Sequence, residues 1–191
     1  MKESPIAVGR RIVVYGRTGS GKTTVSRRLG ATLGLIVIEM DAVQHANGWN
    51  SVSFYDMRRK LEPALDGAIE GWVCDGNYSQ IRDIVLSRAD TIVWLHLPWR
   101  VSFWRLFKRT IVDIRTKRPI YEGSPARQTW RTTFLSRDSI LLWSIRSHPG
   151  SGGRLQRAIA EYPSLPVFEL RSPKQVDVFL RSVTSSPGVR P

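Results

Sequence analysis

The residues with the clearest chemical purpose are Gly16-Arg17-Thr18-Gly19-Ser20-Gly21-Lys22-Thr23, which fit the pattern G-x-x-x-x-G-K-[ST]. Gly16, Gly19 and Gly21 let the backbone turn so tightly that successive N–H groups converge, and a helix starting there adds the positive end of its dipole. The natural occupant is a polyphosphate. Lys22 is placed to reach the β- and γ-phosphates and the Thr23 hydroxyl to sit on Mg²⁺. The flanks agree: the apolar run Arg11 to Tyr15 leads in and the helix-like Lys22 to Leu33 leads out, which is the strand–loop–helix context such a loop needs.

Two carboxylates compete for the chemistry next to it. Asp41 follows the short apolar run Leu35 to Glu39, and Asp75 closes Trp72-Val73-Cys74 before Gly76-Asn77-Tyr78. At the end of a strand either acid can hold Mg²⁺ or accept a proton from an attacking hydroxyl, although Asp is also a common helix cap and turn former. Tyr78 beside Asn77 is the best placed aromatic to stack on a base or a sugar. His45 and His96 are scattered without metal spacing and read as structural histidines, and Cys74 within an apolar strand reads as a small core residue.

The elements that must position these groups alternate. Strands are expected at Arg11–Tyr15, Leu35–Glu39, Trp72–Cys74, Thr91–Leu97 and Pro166–Leu170. Helices are expected near Phe54–Ile69, Gln80–Arg88, Val101–Thr116, Arg127–Ile145, Arg154–Glu161 and Lys174–Val183. Nearly continuous apolar strands separated by helices predict an α/β fold, a parallel sheet covered on both faces with ligands at the carboxyl ends of its strands. Trp99, Phe103 and Phe107, four apart, are expected to pack into the core. The segment from His148 to Gly153 reads as a connector and Ser185 to Pro191 as a frayed tail.

Composition narrows the class. At 191 residues the chain is most simply one domain, with Cys74 as its single cysteine and so no disulfide framework or cysteine-based metal site. That points to a reducing, cytoplasmic home. The start MKESPIAVGRR lacks an apolar stretch of signal-peptide length, and the greasiest region, Thr91 to Phe107, is broken by Arg100 and Arg105, so no membrane partner is expected. The formal net charge of +13 is concentrated between Arg100 and Arg131, where nine bases meet two acids. A lid closing on phosphates would use such a concentration; so would a nucleic-acid surface.

The sequence resembles the small P-loop kinases of the adenylate-kinase-like group and, within it, the proteins labelled DNA topology modulation protein. The likeness is carried by GRTGSGKTTVSRRLG from Gly16, EMDAV from Glu39, Gly48-Trp49, WVCDGNYSQIRD from Trp72, RADTIVWLHLPWRVSFWRLFKR from Arg88 and ELRSPKQVDVFL from Glu169. It implies a five-stranded P-loop NTPase core with a helical lid insertion at about 109–150. Carried over by position, Gly16, Gly19, Ser20, Gly21, Lys22, Thr23 and Thr24 match the ATP-phosphate loop. Arg105 and Arg109 resemble lid arginines, with Arg118 or Arg127 as further lid contacts, and Arg171 and Pro173 correspond to the loop that touches the adenine. ATP and Mg²⁺ are the implied cofactors, with Thr23 and Asp75 on the metal. The acceptor is expected among Asp41, Asp75, Asn77, Tyr78 and Arg82.

Departures set the direction of the functional expectation. There is no NKxD-type guanine selector, no LSGGQ-like signature and no Thr-Gly-Asp segment of the adenylate-kinase kind. Asp41 resembles the strand-end acid of shikimate- and gluconate-type kinases, and an acid beside the acceptor would repel a monophosphate but suit an alcohol. The expectation is therefore an ATP-dependent kinase with Lys22, Asp41, Arg105 and Arg109 as catalytic residues and a small hydroxyl-bearing acceptor. The alternative is an ATP-binding regulatory or nucleic-acid-associated protein that works through its basic surface.

Overall fold

Apolar residues alternate along the central strands, and this period of two divides them between the faces of one sheet. In the computed structural model, which describes residues 5–44, 53–77, 79–116 and 153–185, strand β2 (Arg11–Gly16) sends Ile12 and Val14 to one face and Val13 and Tyr15 to the other. The sheet is parallel and five-stranded, in the order β3 (Ile36–Glu39), β4 (Trp72–Asp75), β2, β5 (Thr91–Leu95) and β6 (Val167–Leu170). β2 lies at the centre, so the chain reverses its winding there and the phosphate loop opens from the middle strand.

Helices cover both faces, as the expected α/β fold requires. Helix α1 (Lys22–Leu33), stopped at Gly34, packs Val25, Leu29 and Leu33 on the first face with Val176, Phe179 and Leu180 of α7 (Pro173–Ser182). The short α2 (Met40–Gln44) leads towards α3 (Phe54–Asp66), which covers the second face through Met57, Leu61 and Leu65. Ile84, Val85 and Leu86 of α4 (Arg82–Arg88) and Leu155 of α6, over 153–160, complete that layer. A single 3₁₀ turn, Ser79–Ile81, precedes α4.

Two expectations need correction. Helix α5 (Trp99–Thr116) buries Ser102, Leu106, Thr110 and Ile114, and leaves the aromatic row Trp99, Phe103 and Phe107 only half-buried. The cause is close approach: a Cβ at Gly19 would lie 2.3 Å from the Ser102 carbonyl oxygen, so α5 turns its small-residue face to the phosphate loop. Ser185 is likewise no frayed residue. Helix α7 ends at Ser182, and β7 (Val183–Ser185) pairs in parallel with β1 (Ile6–Val8) as a second, two-stranded sheet. His45, Trp49, Tyr78, the expected helix Arg127–Ile145 and the expected lid beyond Thr116 lie outside the described residues, as do Arg118 and Arg127.

Candidate active site

β2 ends at Gly16, and the chain folds back over its own strand end before α1 begins. Gly19 and Gly21 take φ values of 78° and 97°, a region closed to most side chains, and Ser20 N–H donates to the Arg17 carbonyl at 3.0 Å. The N-terminus of α1 is thereby aimed into the loop. Its cap residue Gly21 supplies no side chain, so the first-turn amides keep their capacity for an external anion. Ser20 is 2% exposed and its hydroxyl has no hydrogen-bond partner within the protein, whereas Thr24 is exposed on the first turn of α1.

Lys22 and Thr23 each take a partner at this loop. Lys22 Nζ donates to the Arg17 carbonyl at 3.4 Å, and the Thr23 hydroxyl donates to Asp75 Oδ2 at 2.6 Å. Asp75 is 6% exposed, because the last residue of β4 lies between β2 and β3 under the start of α1. Burial raises its carboxyl pKa, against the opposing pull of Lys22 and the Thr23 hydrogen bond; Asp41 and Glu39 push the same way as burial. Burial lowers the Lys22 ammonium in turn, with Asp75 and Asp41 opposing and Arg109 adding to the fall. These mutual influences bring Lys22, Asp41, Asp75 and Arg109 into one electrostatic neighbourhood.

The second oxygen of Asp75 is buried with no hydrogen-bond partner. A half-satisfied buried carboxylate next to a hydroxyl is a donor set for a hard, oxygen-seeking cation. Among the described residues no group of three or more His, Cys, Asp or Glu gathers to hold a metal alone. That fits Mg²⁺, which takes one or two protein oxygens and completes its shell with phosphate and water.

The remaining expected residues spread along the carboxyl edge. Asp41 stands exposed on α2. Arg105 and Arg109 are exposed on α5, where Arg105 Nη1 donates to the Ser20 carbonyl at 3.3 Å. Arg82, half-buried, lies in the electrostatic neighbourhood of the buried Tyr15, whose hydroxyl burial pushes well above its usual pKa against the pull of that guanidinium. Asn77 spends its amide on the scaffold: Oδ1 accepts from Gly16 N–H at 3.2 Å and Nδ2 donates to the Gly16 carbonyl. Arg171 follows β6, pairs with Glu169 at 2.8 Å and precedes Ser172, the N-cap of α7, and Pro173, its first residue.

Sequence reasoning passed over two contributors, Glu39 and Ser102. Glu39, two residues before Asp41, anchors Arg27 through contacts of 2.6 and 3.1 Å; the alternation Glu39-Met40-Asp41 at a strand end was its signal. His96 bonds Glu169 at 2.5 Å and stacks on Trp94, ring centroids 4.3 Å apart, which agrees with a structural histidine. Ser102 shapes the loop through its backbone, for which no side-chain pattern exists.

Known proteins give the same architecture. The shikimate kinase of Acinetobacter baumannii, solved in complex with shikimate, matches 91% of this chain and 90% of its own with a TM-score of 0.51 and 16% identity. The fold is that of the small P-loop kinases. A gluconokinase from Sinorhizobium meliloti 1021 matches 93% of both chains at a TM-score of 0.50 and 17% identity, and TT1252 from Thermus thermophilus 94% of both at 0.52 and 16%. In sequence, the chain is 45% identical over 134 residues to a shikimate kinase of Paramagnetospirillum magneticum, a match that takes in 63% of this chain. It spans 66% of that relative, just under two thirds of its length. No family model matches. Among the described residues no helix is long and apolar enough to cross a membrane.

Proposed function

We propose that this protein is an ATP-dependent kinase that transfers the γ-phosphoryl group to a hydroxyl of a small molecule. The observation that carries this reading is the Lys22–Thr23–Asp75 cluster, in which a buried carboxylate keeps one unpartnered oxygen beside a desolvated ammonium at the mouth of a phosphate loop. The 45% identical shikimate kinase supports a hydroxyl acceptor. The narrower likeness to the topology modulation proteins remains one of motifs and adds no activity. The regulatory or nucleic-acid reading rests on net charge, which reports nonspecific attraction better than it reports function.

Thr23 and Asp75 would hold Mg²⁺, which would neutralise the negative charge of the phosphates. Loop amides and Lys22 orient the β- and γ-phosphates, and the desolvated setting of Lys22 makes its charge count for more than it would in water. Arg105 and Arg109 lie on the side from which guanidinium groups would meet the equatorial oxygens of the transferring group. Asp41 accepts the proton as the acceptor oxygen bonds to phosphorus and the bond to the ADP oxygen breaks. In this reading Arg171 and Pro173 would meet the base, and Arg82 and Asp75 the acceptor.

The test is acceptor-dependent ADP release from Mg·ATP across nucleosides, nucleoside monophosphates, sugars and shikimate-like acids. Turnover with a hydroxyl compound is the expected result. Turnover with monophosphates alone would overturn the acceptor assignment, and absence of Mg·ATP binding would overturn the kinase.

A further inference from the structure

The backbone ladder between β2 and β4 stops before the phosphate loop does. Its last partners are Val14 and Asp75, so Gly16 stands two residues beyond the ladder, level with Asn77 on the other chain. At Gly76 the main chain takes φ 150°, which glycine tolerates, and turns out of the sheet. Gly16 stays in register with Leu95 of β5 on one side, but on the β4 side no strand continues alongside it. Its N–H and C=O are both taken by one side chain, since Asn77 Oδ1 accepts the N–H at 3.2 Å and Asn77 Nδ2 donates to the C=O.

We propose that Asn77 is a positioning residue for the phosphate loop, its side-chain amide standing in for the missing strand and fixing the Gly16 peptide from which the loop departs. A carboxamide is the one side-chain group that copies the donor and acceptor of a peptide at this length; Asp lacks the donor and Ser the reach. The consequence is a second tie between the loop and β4. Thr23 is bound to Asp75 at the far end of the loop, and Gly16 is bound to Asn77 at its near end. The loop is held at both ends by residues two apart on one segment, so its amides are set before a phosphate arrives and binding spends less on ordering them. This deepens the proposed nucleotide site and depends on it.

The variant that isolates the claim is Asn77→Asp, which keeps size and the acceptor but sets an oxygen against the Gly16 carbonyl. Without acceptor present, its Kd for Mg·ATP is expected to rise at least about tenfold over the wild type, the effect of breaking one hydrogen bond and leaving a buried partner unpaired. In turnover, KM for ATP should rise while KM for the acceptor stays unchanged. Unaltered ATP affinity with a raised acceptor KM would return Asn77 to the acceptor site and overturn the inference alone. A wild-type protein that does not bind Mg·ATP would overturn the nucleotide site as well. Amide exchange in the nucleotide-free wild type needs no variant: Gly16 N–H should exchange as slowly as the amides of β2 before it, and faster in Asn77→Ala. Rapid exchange at Gly16 in the wild type would overturn the proposal even if Asn77→Asp fails to fold.

Discussion

On the phosphate side of the site, Lys22, Thr23, Asp75 and Gly16 are tied into the scaffold by hydrogen bonds of 2.6 to 3.4 Å, and Asp75 is 6% exposed. On the acceptor side, Asp41 and Arg109 stand exposed at the surface of α2 and α5. The first half carries the desolvation of its charges in the folded state, and in the proposed mechanism it receives the phosphates. The second is exposed, and in the same proposal it acts once an acceptor displaces water. Substitutions on the first half should therefore weaken nucleotide binding itself, whereas those on the second should lower turnover more than ATP affinity.

The contrast is tested most severely at Lys22. Lys22→Ala should lower turnover by about 1000-fold or more and remove most Mg·ATP affinity, because it removes the charge aimed at the phosphates. The melting temperature should hold, since the lost charge is one that burial disfavours. Equal ATP affinity in the folded variant would break the comparison at its root. Asp41→Asn should cost about 100-fold in acceptor-dependent turnover, with ATP affinity and melting temperature unchanged. Partial rescue by raised Mg²⁺ would move Asp41 to the metal, and near wild-type turnover with every accepted substrate would remove it from the mechanism. Arg109→Ala should lower turnover about tenfold or more, and ATP affinity by less, as expected of a contact made to the transferring group. Loss of ATP affinity with turnover intact would shift Arg109 to the phosphate side.

The smallest effect concerns stability and sharpens the comparison from within. Burial raises the Asp75 pKa above its unfolded value, so between the two values the folded chain holds the proton more tightly than the unfolded one. Stability without Mg²⁺ should then decline as pH rises through that window and level off above the folded pKa. Asp75→Asn keeps an acceptor for the Thr23 hydroxyl and loses the buried charge. Its melting temperature relative to wild type should be higher at neutral pH than in acid, in melting curves recorded across pH without metal. A variant that loses most at neutral pH would show that the ionised carboxylate stabilises the fold.

The phosphate loop, the five central strands and the strand-end acids were legible because each is written locally, in glycine spacing or in an apolar run that stops at a polar residue. What was illegible depends on contacts between distant segments. Asn77 sits in a segment that reads as substrate-facing, and nothing in its neighbourhood announces that the Gly16 peptide, 61 residues earlier, will take both of its amide atoms. The aromatic row on α5 reads as core by period and type, yet the close approach of Ser102 to Gly19 rotates that helix. Strands β1 and β7, three residues each, have no pattern long enough to register and exist only as partners.

That last pairing has a consequence for how the molecule assembles. Ile6 lies against Val183, so the two-stranded sheet closes a loop of almost the entire described chain, and Val8 and Val183 enter the same apolar layer as helix α1, which packs against β7. Loop-closure entropy grows only with the logarithm of length, but such a closure gains nothing until both ends have been brought together by the structure between them. β1 and β7 thus form a seam that depends on the rest of the fold to bring its edges together, and it borders the helix that carries the phosphate loop.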